Sequence, residues 1–217
     1  MAWGFICNGL YVGFQTARCD EAFKSLQKIA SGTPGAPTIA NFDRFGSSLA
    51  TLGDFDGDGV TELAVGAIGD DSGGSNRGAV HVLFLNSDGT VKSRQKFGIG
   101  LSEDAFGSSV TSIGDLDGDG VTDLAVGAVG EDTGGSANGA VYVLFMNSNG
   151  TMKSNVKIAS AINGGPTLLS NSQFGSSLAS LGDLDADGIT DFAVGARQET
   201  SSFVTCGAVH ILFMRAD

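Results

Sequence analysis

An all-β chain of repeated four-stranded units is predicted by three features of these 217 residues. The first is self-similarity: "FGSSLATLGD" begins at Phe45, "FGSSVTSIGD" at Phe106 and "FGSSLASLGD" at Phe174, spacings of 61 and 68 residues. The second is a fixed order after each start. An acidic loop is followed by "LAVGA" or "FAVGA", a polar Gly/Ser loop, and "GAVHVLF", "GAVYVLF" or "GAVHILF". The third is composition: 34 Gly against 3 Pro, with no collagen-like period, favours turns and short strands over helices.

Each unit reads as four strands. Ser47–Leu52 alternates weakly between glycines, and Leu63–Ala67 is apolar on both faces, as an inner strand is. Ala79–Leu85 is rich in β-branched and aromatic side chains. Asp88-Gly89 and Asn149-Gly150 then read as two-residue hairpin turns with positive φ at both central positions. They lead into fourth strands at Val91–Phe97 and Met152–Ile158. Up-and-down units at this period predict propeller blades, three in this chain, with starts near 45, 106 and 174.

The phase of the two ends shapes the ring. "FKSLQKI" (Phe23–Ile29) matches "VKSRQKF" and "MKSNVKI", so it reads as a fourth strand completing another blade. The segment 23–217 is therefore assigned to the repeats. Residues 1–22 read as strand-like or as a remnant of a gene boundary, and "GLYVGF" within them resembles a third strand. Three blades curve too tightly to close alone. A homodimer joined head to tail closes a six-bladed ring, which makes a second copy an expected partner. The competing reading is an excerpt of a larger propeller.

The charge narrows the function classes. Twelve Lys and Arg against 24 Asp and Glu give a net charge of -12, which repels phosphate backbones and excludes a nucleic-acid partner. No apolar run is long enough for direct membrane insertion. The N-terminus lacks the basic region of a signal peptide. Cys7, Cys19 and Cys206 show no metal-ligand spacing, and a Cys7–Cys19 bridge and free thiols both fit.

Much of the acid lies in three strings of one pattern. Asp54, Asp56 and Asp58 occupy loop positions 1, 3 and 5, with Gly59 at 6, the Val60 carbonyl at 7 and Glu62 at 9. The second loop repeats this with Asp115, Asp117, Asp119, Val121 and Asp123, the third with Asp183, Asp185, Asp187, Ile189 and Asp191. An EF-hand needs Glu at position 12, where this chain has Val65, Val126 and Val194. Hard oxygen ligands at this spacing select Ca2+, one ion per loop and three in all. Ala186 replaces Gly57 and Gly118 of the other loops and is expected to distort the third turn.

On "FGSS", "DxDxDGxxD/E", "AVGA" and "GAVxVLF", the chain resembles the FG-GAP repeats of the integrin alpha-subunit propeller and its bacterial relatives. The resemblance implies calcium between the first two strands of each blade, an extracellular or cell-surface location, and adhesion to a protein or carbohydrate ligand. Two departures stand out: the proline of the GAP element is replaced by Ile68, Val129 and Arg197, and three blades replace the usual seven.

Two further readings stay open: an enzyme, hydrolase-like, with a site in the central channel, and a structural segment of a surface protein. His81 and His210 fall at the strand position of Tyr142, which reads as repeat architecture, and no catalytic residue is assigned. "DDSGGSNRG" and "EDTGGSANG" lack the Lys-Ser/Thr of a phosphate loop. Asp70, Asp71, Glu131 and Asp132 read first as carboxylates of solvated loops on one rim, and the alternative is an acidic rim suited to a cationic or calcium-bridged ligand.

Overall fold

The computed structural model describes residues 24–201 and 204–215. The segment 1–22, with Cys7, Cys19 and "GLYVGF", lies outside the described residues, as does Phe23. Every helix or strand assigned among them is a strand, so none is a helix long and apolar enough to cross a membrane. Strands β1 (Phe45–Gly53), β2 (Glu62–Ala67), β3 (Ala79–Leu85) and β4 (Val91–Phe97) form one antiparallel sheet in chain order. Strands β5 (Phe106–Ser112), β6 (Leu124–Ala128), β7 (Ala140–Met146) and β8 (Met152–Ala159) repeat it. These are the predicted up-and-down blades.

The third unit differs. Strands β9 (Phe174–Gly182) and β10 (Asp191–Ala196) are followed by a small hairpin of β11 (Thr200–Ser201) and β12 (Val204–Thr205). Strand β13 (Ala208–Leu212) then completes a sheet of three strands, ordered β13-β10-β9. Lys24–Ile29, expected as a fourth strand, is not assigned to a strand in the single chain. A strand exists only as one member of a hydrogen-bonded ladder, and the described residues give this segment none.

The hairpins also depart from expectation. Gly89 and Gly150 have φ of 80° and 77°, whereas Asp88 and Asn149 do not enter the positive-φ region. Asn86 and Thr90 close the loop, and Gly89 donates its N–H to Asn86 O at 2.8 Å. This is a three-residue loop, a turn followed by a left-handed glycine, and it produces the register shift between Phe84 and Leu85.

Blades stack through apolar faces. Val80, Val82 and Phe84 meet Phe106, Val126, Tyr142 and Leu144 between the first and second sheets. Val141, Val143 and Ile158 meet Phe174, Phe192 and Val194 between the second and third. The "FG" phenylalanine edges onto one residue of the third strand in every blade. Ring centroids are 5.3 Å apart for Phe45–His81, 5.6 Å for Phe106–Tyr142 and 5.5 Å for Phe174–His210. The histidines therefore occupy the rung of Tyr142. Burial first, and Lys96 second, lower the His81 pKa to about 4.

The motif glycines follow from this seam. The Ser48 hydroxyl donates to Gly107 O at 2.8 Å, and Ser109 to Gly175 O at 2.7 Å, across successive blades. A Cβ on Gly66 would lie 2.2 Å from Gly107 O, and one on Gly127 would lie 2.0 Å from Gly175 O. No side chain fits there, so "AVGA" needs its glycine wherever another blade follows. In the third unit Ser176 donates instead to Gly195 O of its own sheet, at 3.0 Å.

Candidate metal centres

Each acidic loop joins the first strand of a unit to the second and wraps around its own first carboxylate. Asp54 Oδ1 accepts N–H groups from Gly57 at 2.8 Å and Asp58 at 3.0 Å, and its Oδ2 accepts that of Gly59 at 2.9 Å. Asp115 repeats the pattern with Gly118, Asp119 and Gly120 at 2.8, 3.1 and 2.7 Å. The residue at position 7 closes each turn. Val60, Val121 and Ile189 donate their N–H groups to Asp58, Asp119 and Asp187, at 2.8 Å in all three loops.

The third loop keeps the fold with a strained residue. Ala186 has φ of 63°, beside 77° and 76° for Gly57 and Gly118, so a residue with a Cβ sits in the left-handed region. Asp183 accepts the N–H groups of Asp187 at 3.0 Å and Gly188 at 2.9 Å. The bond that Gly57 and Gly118 make is not formed by Ala186. The expected distortion takes two forms, backbone strain at residue 186 and the loss of that one bond. Ala186→Gly is expected to raise stability by about 1 kcal/mol, read as a higher urea midpoint at unchanged slope.

Carboxylate oxygens converge in each loop. Asp54, Asp56 and Asp58 each offer one oxygen within 4.8 Å of the others, as do Asp115, Asp117 and Asp123, and Asp183, Asp185 and Asp191. The position-9 acids have a second task, which the spacing did not reveal. Asp123 is fully buried and accepts N–H groups from Leu116 at 2.9 Å and Met146 at 3.0 Å. Asp191, also buried, accepts those of Leu184 at 2.9 Å and Met214 at 2.8 Å. Each therefore brackets its loop to the far end of the third strand. Glu62 Oε2 accepts the Phe55 N–H at 2.7 Å, while its buried Oε1 has no hydrogen-bond partner among the described residues. Burial pushes the pKa of Glu62 and of Asp123 upward.

A lysine from the fourth strand reaches two of the loops. Lys92 Nζ lies 2.7 Å from Asp56 Oδ2 and 2.6 Å from Asp58 Oδ2, and Lys153 Nζ lies 2.6 and 2.9 Å from Asp117 and Asp119. These bonds hold the Asp58 and Asp119 carboxyls below their ordinary values. Chemically, the ammonium is a cation between the carboxylates at positions 3 and 5. In the third loop Asp185 and Asp187 have no basic partner among the described residues. Burial first, then Asp187, raises the Asp185 carboxyl.

The rim acids are not alike, contrary to expectation. Asp70 is buried and paired with Lys96, and Glu131 is buried with Lys157 Nζ at 2.8 Å. Asp71 and Asp132 stay exposed, each accepting a backbone N–H at 2.8 Å, from Asn76 and Ala137. Cys206 is exposed, with no disulfide partner among the described residues.

Comparison with known proteins agrees with this architecture. A family described as FG-GAP-like repeat matches residues 54–126, and one described as FG-GAP repeat matches 174–212. Integrin alpha-11 of Homo sapiens is 35% identical over 158 residues, 70% of this chain and 12% of that protein. Integrin alpha-PS5 of Drosophila melanogaster is 35% identical over 155 residues, 70% of this chain and 15% of its own length. Integrin alpha-5 of Xenopus laevis is 42% identical over 101 residues, 44% and 9% respectively. The chain thus spans a small part of each relative. Repeated acidic loops, blade seams built on "FG" and "GA", and both matches agree that the chain belongs to the FG-GAP repeat family, with integrin alpha subunits among its relatives.

Proposed function

We propose that the chain is a calcium-stabilised binding module, the propeller part of a cell-surface or extracellular adhesion protein. One observation carries the calcium reading. In two loops a lysine ammonium sits between carboxylates at under 3 Å, so the loop geometry concentrates negative potential at a point that takes a cation. The donor set is oxygen alone, which suits Ca2+ better than metals that select nitrogen or sulfur. The buried Glu62 Oε1 supplies a further unpartnered oxygen at the first loop. The ion would be held by Asp54, Asp56 and Asp58 in the first loop. In the second and third it would be held by Asp115, Asp117 and Asp123, and by Asp183, Asp185 and Asp191. It supplies charge neutralisation and a crosslink between the first two strands of a blade.

The relation to integrin alpha subunits supports a role in adhesion or ligand binding for the whole protein, with a protein or carbohydrate as ligand. The calcium reading is tested by thermal melts in EDTA and with added Ca2+. Each loop saturated at about 100 times its Kd adds about 2.7 kcal/mol, so Tm rises by several degrees in calcium. Superimposable melts in EDTA and in millimolar calcium overturn it.

A further inference from the structure

The third sheet exposes features that the other two cover. Val209, Ile211 and Phe213 stand where Val80, Val82 and Phe84 stand in the first blade, yet they are 70%, 42% and 57% exposed. Among the described residues the outer edge of β13 carries no fourth strand, where β3 has β4 and β7 has β8. A groove of about 1000 Å3, lined in part by Val143, Phe145, Val156, Ile158 and Ile211, runs between the second and third units.

The chain contains a segment shaped for that edge. Each position from Lys24 to Phe45 has a counterpart 129 residues later, from Lys153 to Phe174, without insertion or deletion. Lys24, Lys28, Ile29, Ala30, Ser31, Gly35, Pro37 and Thr38 recur as the same residue types. The segment is also placed on the first blade as β8 is placed on the third. Ile158 packs with Phe174, Phe192 and Val194, and Ile29 packs with their equivalents Phe45, Leu63 and Val65. Lys24–Ile29 thus lies where the outer strand of a preceding blade belongs, and no other strand of that blade is found among the described residues.

Charge fixes the occupant. In the first two blades the fourth strand carries lysines four residues apart on one face. Lys92 and Lys96 meet Asp56, Asp58 and Asp70, and Lys153 and Lys157 meet Asp117, Asp119 and Glu131. The third blade has the matching acids, Asp185, Asp187 and Glu199, with no lysine beside them among the described residues. Glu199 there takes the His210 ring at 2.6 Å as a substitute. Lys24 and Lys28 are spaced like the lysines of β4 and β8, and Leu26 between them is 81% exposed.

We infer that Lys24–Ile29 of a second copy adds to β13 as its fourth strand, antiparallel, and that the exchange is reciprocal, closing six blades with two-fold symmetry. His81 pairs with Lys96 and Tyr142 with Lys157, so the register sets His210 opposite Lys28 and Ile211 opposite Gln27. Lys24 then enters the third acidic loop, Lys28 meets Glu199, and Leu26 faces the groove.

The assembly does not depend on the calcium reading, and solution mass in EDTA and in calcium separates the two. The expected mass is twice the 21.9 kDa of one chain in both buffers. Lys28→Glu is expected to raise the dimer Kd roughly tenfold or more by placing like charges together, and adding Glu199→Lys to the same chain restores it. A second measurement stands apart from affinity. With Cys7, Cys19 and Cys206 changed to Ser, Gln27→Cys with Ile211→Cys gives a disulfide-linked dimer on a non-reducing gel. A single-chain mass, a Lys28→Glu dimer as tight as the parent, or no crosslinked dimer overturns the inference.

Discussion

Phe174→Ala is expected to lower stability by about 4 kcal/mol, the range for an aromatic ring removed from a closed core. The ring is fully buried between the second and third blades, edge-on to His210 at 5.5 Å. It shares a cluster with Phe192, Val194, Val141 and Ile158, which belong to two different blades. The backbone on both sides is pinned: the Phe174 N–H donates to Asn138 O at 2.8 Å, and Gly139 lies directly beneath it in a parallel bridge. Collapse around the missing ring is therefore resisted, and a cavity remains. Urea unfolding against the parent checks this, and a loss under about 1 kcal/mol would contradict the assignment of this phenylalanine to the seam.

Asp123→Ala carries the second large effect, about 3 kcal/mol in EDTA. Its carboxylate is the acceptor for two backbone donors, Leu116 N–H at 2.9 Å and Met146 N–H at 3.0 Å. Removing it strands both in a fully buried site, at about 1–3 kcal/mol for each unsatisfied group. Asp123→Asn separates the bracket from the cation. The amide oxygen accepts one of the two N–H groups while its NH2 faces the other, so Asn should recover only part of the EDTA stability. It lacks the charge that a cation needs, so it should show a smaller calcium increment than the parent. An Asp123→Ala protein as stable as the parent in EDTA would refute the bracket.

The acidic loops were readable because their chemistry is local. Positions 1, 3, 5 and 6 sit within one turn, and the backbone N–H groups that Asp54 and Asp115 accept come three to five residues onward. The bracketing task of Asp123 was not readable, because Met146 is 23 residues away on the far end of another strand. Lys92 and Lys153 escaped for the same reason, each 34 and 36 residues from the carboxylates it bridges. A signal did exist: "KS" follows each hairpin at a constant distance from the acidic loop. The rim reading of Asp70 and Glu131 failed on the second lysine of that same strand.

The sequence by itself determined the repeat, the strand order within a blade, the positions of the loop carboxylates and the rung shared by His81, Tyr142 and His210. All of these follow from periods and turn residues that act within a few positions. Tertiary structure alone decided which side chains meet the carboxylates, and that the hairpins use one left-handed glycine and not two. It also decided that, among the described residues, the third sheet stops at β13 while Ile29 packs against the first blade. The physical reason is that ladder bonds, buried ion pairs and blade seams join residues far apart in the chain. A strand pattern states what a segment needs, and only the assembled sheet states what it has found.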